Sequence, residues 1–213
     1  MLSGLASLQL PASKRDVLEI ISIIFLALAG LTLLGLRRTG RERPPQRTSE
    51  RSDRYAGLAV PGSPVANVLD AIMAADKDFN VQYFIVGAES AYERIVTAYA
   101  KGDRRELTNL LAPTVYEGFD AVIREREARG ETAETHFLSI DATDITAAEF
   151  HGKVVHITVR FVAEFVSTTR DRNGTVIDGS ADNIASVTDV WTFARNVTAR
   201  DPNWKLAATN NGA

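Results

Sequence analysis

The sequence contains no cysteine, which excludes disulfides, thiolate nucleophiles and cysteine-ligated metals outright. Histidine is scarce as well, and His136, His151 and His156 show no ligand spacing, so no metal is expected. No glycine-rich stretch fits a phosphate cradle and no serine sits in a nucleophile elbow, so no cofactor is expected either. An excess of positive charge is also missing from the larger part of the chain. Residues 1–54 carry a net charge of +4 and residues 55–213 a net charge of −7. An acidic domain lacks the clustered cations that release counterions from a polyanion, which argues against nucleic acid. Against these absences, 213 residues with 45% hydrophobic and 24% charged side chains are ordinary for one folded domain plus an appendage.

The appendage comes first. Residues 17–36 read VLEIISIIFLALAGLTLLGL, with Glu19 the only charge. At about 1.5 Å per residue such a helix reaches roughly 30 Å, the thickness of a bilayer's hydrocarbon core. A transmembrane helix is expected here, with Val17, Ile20, Ile24, Phe25, Leu28, Leu31, Leu34 and Leu36 facing lipid. Cleavage as a signal peptide after Ala29 would leave a mature end of unusual greasiness, so the span is expected to stay uncleaved. Arg37, Arg38, Arg41 and Arg43 crowd its carboxyl side. The positive-inside rule then places the following domain in the cytoplasm, or in the matrix of a mitochondrion. The same arginines can rest against anionic headgroups. Residues 1–16 form an extension before the span, and residues 37–64, rich in Arg, Ser, Gly and Pro, read as a flexible basic linker.

From residue 65 the periodicity is that of helices. Val65, Val68, Leu69, Ile72 and Met73 predict a short amphipathic helix over 65–77, able to pack on the domain, touch lipid or grip a partner. A longer helix follows over about 79–100, with Phe84, Ala88, Ala91, Ile95 and Tyr99 as its stripe and Gly102 as its stop. Asp103 with Glu106, and Thr114 with Glu117, are spaced as capping boxes for two further helices, and Gly130 ends the second. The period then drops to two. Extended chain is expected from about 135 to 148. In VVHITVRFVAEF, Val155, Ile157, Val159, Phe161, Ala163 and Phe165 share one face. Asn173-Gly174 and Asp178-Gly179 read as hairpin turns, followed by two more strands. Helices first and consecutive hairpins afterwards predict an α+β domain over 78–213 with a mostly antiparallel sheet.

Both tryptophans fall within DVWTFARNVTARDPNWKL, Asp189 to Leu206. Counting by twos puts Asp189, Trp191, Phe193 and Arg195 on one strand face. A carboxylate in an apolar pocket can move protons, but Asp189 and Arg195 are nearly 20 Å apart on a straight strand at about 3.3 Å per residue. The residues favour a structural lock. Asp189 and Arg195 sit near strand ends, Arg195 holds Asp201 across the last turn, and Trp191 packs on Trp204 across adjacent strands. A pocket or partner face is expected around Phe84, Tyr92, Val159, Phe161 and Phe165.

The stretches FIVGAESAYERIVTAYAKGDRREL, LLAPTVYEGFDAVIRERE, VTDVWTFAR and DPNWKL, in that order, resemble the bacterial TimA proteins and the carboxyl-terminal domain of subunit 44 of the mitochondrial inner-membrane translocase. The resemblance covers about residues 78–209. It implies a cone-shaped domain of the nuclear-transport-factor-2 type, with a curved sheet around an apolar cavity. It also implies an adaptor at the inner membrane, with no catalytic residues to carry over. The mitochondrial relative links a translocase to a heat-shock chaperone through a long amino-terminal region that has no counterpart here, so chaperone docking is not expected.

Three functions follow. The first is a membrane-anchored adaptor that binds a membrane or membrane-associated protein complex, its span beside the bilayer's headgroups. The second is a hydrophobic-ligand or lipid-binding domain. The third is a small enzyme of the same superfold, with Asp189 as base.

Overall fold

The computed structural model describes Tyr55 and residues 57–211. The expected span at 17–36, its lipid-facing side chains and Arg37, Arg38, Arg41 and Arg43 lie outside these residues. Among the described residues no helix is long and apolar enough to cross a membrane.

Among the described residues four helices precede five strands: α1 Pro64–Ala75, α2 Val81–Lys101, α3 Arg104–Leu110, α4 Pro113–Arg129, then β1 Thr132–His151, β2 Val154–Arg170, β3 Val176–Gly179, β4 Ala185–Asn196 and β5 Lys205–Asn211. The helix starts follow capping chemistry. The side chains of Ser63, Asn80 and Asp103 accept from backbone N–H groups at the openings of α1, α2 and α3. The second expected capping box is corrected: α4 opens with Pro113 as its first residue and Ala112 before it, and no side chain caps it. Proline at that position needs no cap for its missing N–H and already has a helical φ. Instead, the N–H of Ala112 donates to the carbonyl of Leu206 at 2.8 Å, tying the start of α4 to the last strand.

The strands form one antiparallel sheet ordered β1-β2-β4-β5. Near Thr168–Arg170, the end of β2 that extends past β4 pairs with the short β3. The hairpin expected at Asn173-Gly174 joins β2 to β3, its turn held by Asp171. Asp178-Gly179 is not a hairpin turn but the end of β3, and the chain turns over the following residues before β4. Three register shifts interrupt the long pairing of β1 with β2. Such bulges bend and twist a strand pair, which curves this half of the sheet around the helices.

The inner face of β2 is the anchor of the core. Val155, Ile157, Val159, Phe161 and Ala163 are fully buried, as their alternation predicts. Against them pack Phe84, Ile85, Ala88, Tyr92 and Ile95 from α2, and Val115, Phe119 and Ile123 from α4. Burying each large apolar side chain is worth about 1.5–3 kcal/mol. Helix α1 buries Ala66, Leu69 and Ile72, so its apolar stripe meets the domain itself.

Candidate functional site

A cavity of about 200 Å³ opens between α2 and α4 on one side and the sheet on the other. Its deep wall consists of buried residues, among them Ile95, Phe119, Asp189 and Trp191. Its mouth is bordered by exposed or half-exposed positions, including Glu125, Arg126, Arg129, Gly179 and Asn183. The mouth exists because β4 leaves the edge of β2 where β3 takes over, so sheet and helices diverge there.

Asp189 stands on this deep wall, paired across the sheet with Phe161. The expectation that it meets a turn or water near a strand end is overturned. It is 5% exposed, and its Oδ2 accepts a 2.6 Å hydrogen bond from the hydroxyl of Tyr92 on α2. Burial pushes its carboxyl up to about 6, although the Tyr92 bond pulls in the opposite direction. The Tyr92 phenol is raised far above its ordinary range, first by burial and then by the neighbouring carboxylate. Stacking fixes this pair. The Tyr92 ring lies 4.7 Å from Phe161 and 4.6 Å from Trp191, centroid to centroid. Oδ1 of Asp189 and Nε1 of Trp191 are buried and bond to no protein atom.

Nearer the mouth, Arg126 donates to the carbonyl oxygens of Tyr99 and Ala100 at 3.0 and 2.8 Å, with its guanidinium 5.5 Å from the Tyr99 ring. Burial raises the Tyr99 phenol to about 12. Arg129 pairs with Glu131 at 2.8 Å.

The remaining residues of the expected lock are arranged differently from the sequence reading. Arg195 does not hold Asp201. It pairs with Asp76, the residue that ends α1, and its guanidinium lies 5.1 Å over the Trp204 ring. Asp201 stays in its own turn, accepting from the Asn203 backbone at 3.0 Å and from the Asn203 amide at 2.6 Å. The local turn satisfies its carboxylate at no cost in chain ordering, which leaves Arg195 to a partner from α1. Trp191 and Trp204 have different ring partners, joined only through the contact of Phe84 with Phe193. Trp191 sits with Tyr92, Phe161 and Phe193, whereas Trp204, one residue before β5, packs on Phe79 and Phe84. The residue across the sheet from Trp191 is Thr209.

The expected pocket or partner face is corrected as well. Tyr92, Val159 and Phe161 are wholly buried and Phe84 nearly so, because the sheet's apolar face is covered by α2. Of the five, only Phe165 lines the cavity that holds Asp189, while Phe84 reaches a second, more open groove beside Asn80, Tyr83 and Trp204. On that side α2 exposes Tyr83 at 80% and Val86 at 63%. Among the described residues no three His, Cys, Asp or Glu side chains group as a metal site.

Helices laid over a curved antiparallel sheet, with a closed-ended apolar cavity, define a mixed α+β domain. Its sequence matches the Tim44-like domain over residues 65–211, and the chain belongs to that family. It is 23% identical over 147 residues to the mitochondrial import inner membrane translocase subunit TIM44-1 of Arabidopsis thaliana, covering 66% of this chain and 31% of that protein. It is 22% identical over 145 residues to human TIM44, covering 67% of this chain and 32% of that protein. The chain thus matches about a third of the length of these relatives. Among solved structures, the intermembrane-space region of the chloroplast protein ARC6 aligns with a TM-score of 0.41 and 13% identity, over 60% of this chain and 95% of that one. A protein of the NTF2-like family from Streptomyces avermitilis aligns at 0.32 and 12%, over 62% and 98%. At such scores neither likeness bears on function.

Proposed function

We propose that this chain is an adaptor of the protein-translocation type, anchored in a bacterial inner membrane with its domain on the cytoplasmic side. Residues 17–36 supply the anchor, and the arginines that follow rest against anionic headgroups. The domain binds a membrane or membrane-associated protein complex. The observation that carries this reading is the family match, which spans the described fold from α1 to β5, with relatives that are named translocase subunits.

The geometry suits the role. Tyr83 and Val86 stand three residues apart on one side of α2 and are strongly exposed, and Tyr83 lines the open groove. Apolar residues displayed together at a groove are what a partner surface requires. The reading assigns no reaction to Asp189. The enzyme alternative has a carboxyl in a cavity within reach of a phenol, but that phenol is packed in the core and, among the described residues, no second acid or base joins Asp189 on the deep wall. The ligand-binding alternative is favoured by the cavity itself.

The test is site-specific photo-crosslinking from positions 83 and 86 in the full-length chain, in intact cells. Adducts with one membrane complex are expected from both positions, and none from the exposed Leu138 on β1. A chain that stays in the membrane fraction yet gives no adduct at either position would remove the adaptor reading.

A further inference from the structure

Two polar atoms on the cavity's deep wall have no partner among the described residues. Oδ1 of Asp189 and Nε1 of Trp191 belong to residues only 5% and 3% exposed, and neither bonds to a protein atom. An unpaired buried polar group costs about 1–3 kcal/mol, so two on one wall are a poor arrangement for a surface that only packs. Both residues line the cavity. Lying two apart on one face of β4, they project side by side, roughly 7 Å apart along the strand. One is an acceptor and the other a donor only. A single group that serves both is a hydroxyl, which donates and accepts at the same oxygen, directly or through one water.

The rest of the cavity sets the body of the ligand. Ile95, Val96, Phe119, Val122, Phe165 and Val187 make its walls predominantly apolar. Its volume of about 200 Å³ is close to that of a buried apolar cavity of about 150 Å³ known to accept benzene. A single ring or short chain fits, and a long acyl chain does not. Among the described residues an anionic headgroup finds no free cation at the mouth, because Arg126 is committed to two carbonyls and Arg129 to Glu131. A carboxylate or phosphate at the deep end would face Asp189.

We propose that the cavity binds a small, mainly apolar molecule with one hydroxyl, the size of an alkylphenol, whose O–H donates to Asp189 and whose oxygen accepts from the indole of Trp191. The site is independent of the adaptor surface on the outer side of α2, and either stands if the other fails.

The experiment uses the full-length chain in detergent, with its two tryptophans labelled with nitrogen-15 so that each indole N–H gives one resonance. The probes are p-cresol, 4-methylanisole, which keeps the oxygen but not its proton, and toluene. p-Cresol is expected to shift the Trp191 resonance saturably, leave that of Trp204 in place, and bind at least tenfold more tightly than toluene. In Asp189→Asn the amide carbonyl still accepts from Tyr92, and the free atom becomes an N–H donor. There the preference should turn from p-cresol toward 4-methylanisole by a factor of ten or more. Comparing ratios between the two proteins cancels each probe's partition into micelles. Equal binding of p-cresol and toluene to the wild-type chain, at matched free concentrations, overturns the proposal. So does a Trp191 resonance that no probe moves, which would mean that water alone occupies the site. The wild-type comparison decides even if the variant fails to fold.

Discussion

Asp189 keeps its proton up to about pH 6 in the folded protein, whereas an unfolded chain releases it near 3.8. Between those values the folded state binds more protons, so stability falls as pH rises through the interval and is greatest below it. At about 1.4 kcal/mol per pH unit of that gap, the ionised group costs the fold on the order of 3 kcal/mol at pH 8. Asp189→Asn keeps an acceptor for Tyr92 and removes the charge. Its thermal midpoint should exceed the wild type's by about 5 °C or more at pH 8 and match it at pH 4, by differential scanning fluorimetry of the full-length chain. Tyr92→Phe acts in the opposite direction, since it leaves Oδ2 unpaired as well. It should lower stability by about 2 kcal/mol and move the Asp189 transition to still higher pH, as followed by carboxyl-labelled NMR.

At the scale of elements, the ion pair of Asp76 with Arg195 connects the end of α1 to the end of β4, with both side chains about one-eighth exposed. Removing one partner of such a pair strands a charge in a poorly solvated place, at about 3 kcal/mol. Asp76→Ala should therefore be more damaging than the double change Asp76→Ala, Arg195→Met, in which an unbranched apolar chain still covers Trp204. Urea titration of the four members of that cycle gives the coupling, and single-variant losses that simply add would show that the two residues do not interact. Gly179 tests the other element that shapes the cavity. Its φ of 72° is left-handed, and a Cβ there would overlap the carbonyl oxygen of Ser167 on β2. Gly179→Ala should cost more than about 2 kcal/mol and loosen the end of β3, seen as faster amide exchange over residues 176–179 while the core of β2 stays protected.

For the whole molecule, the expected anchor and the described domain can be separated. Deleting residues 1–36 should move the protein from the membrane pellet to the supernatant, while its circular dichroism and thermal unfolding change little, because α1 to β5 form one core without those residues. A truncated chain that stays in the pellet after a high-salt wash would place membrane affinity in the domain itself, for which the exposed Val176, Ile177 and Ile184 near the cavity mouth are the first residues to change.

Local chemistry made much of this molecule readable in one dimension. The alternation from Val155 to Ala163, the cap at Asp103 and the turn at Asn173-Gly174 depend on neighbours a few residues away, and the folded chain uses them as local spacing predicts. The same counting placed Asp189, Trp191, Phe193 and Arg195 on one strand face. Which partners those side chains meet was settled by tertiary packing alone. Tyr92 reaches Asp189 across 97 residues and Asp76 reaches Arg195 across 119, each because a helix crosses the sheet at that height. A residue's face is fixed by backbone geometry, which repeats along the chain. Its depth and its partner follow from where distant elements come to rest, and that turned a supposed strand-end carboxylate into the deep wall of a cavity.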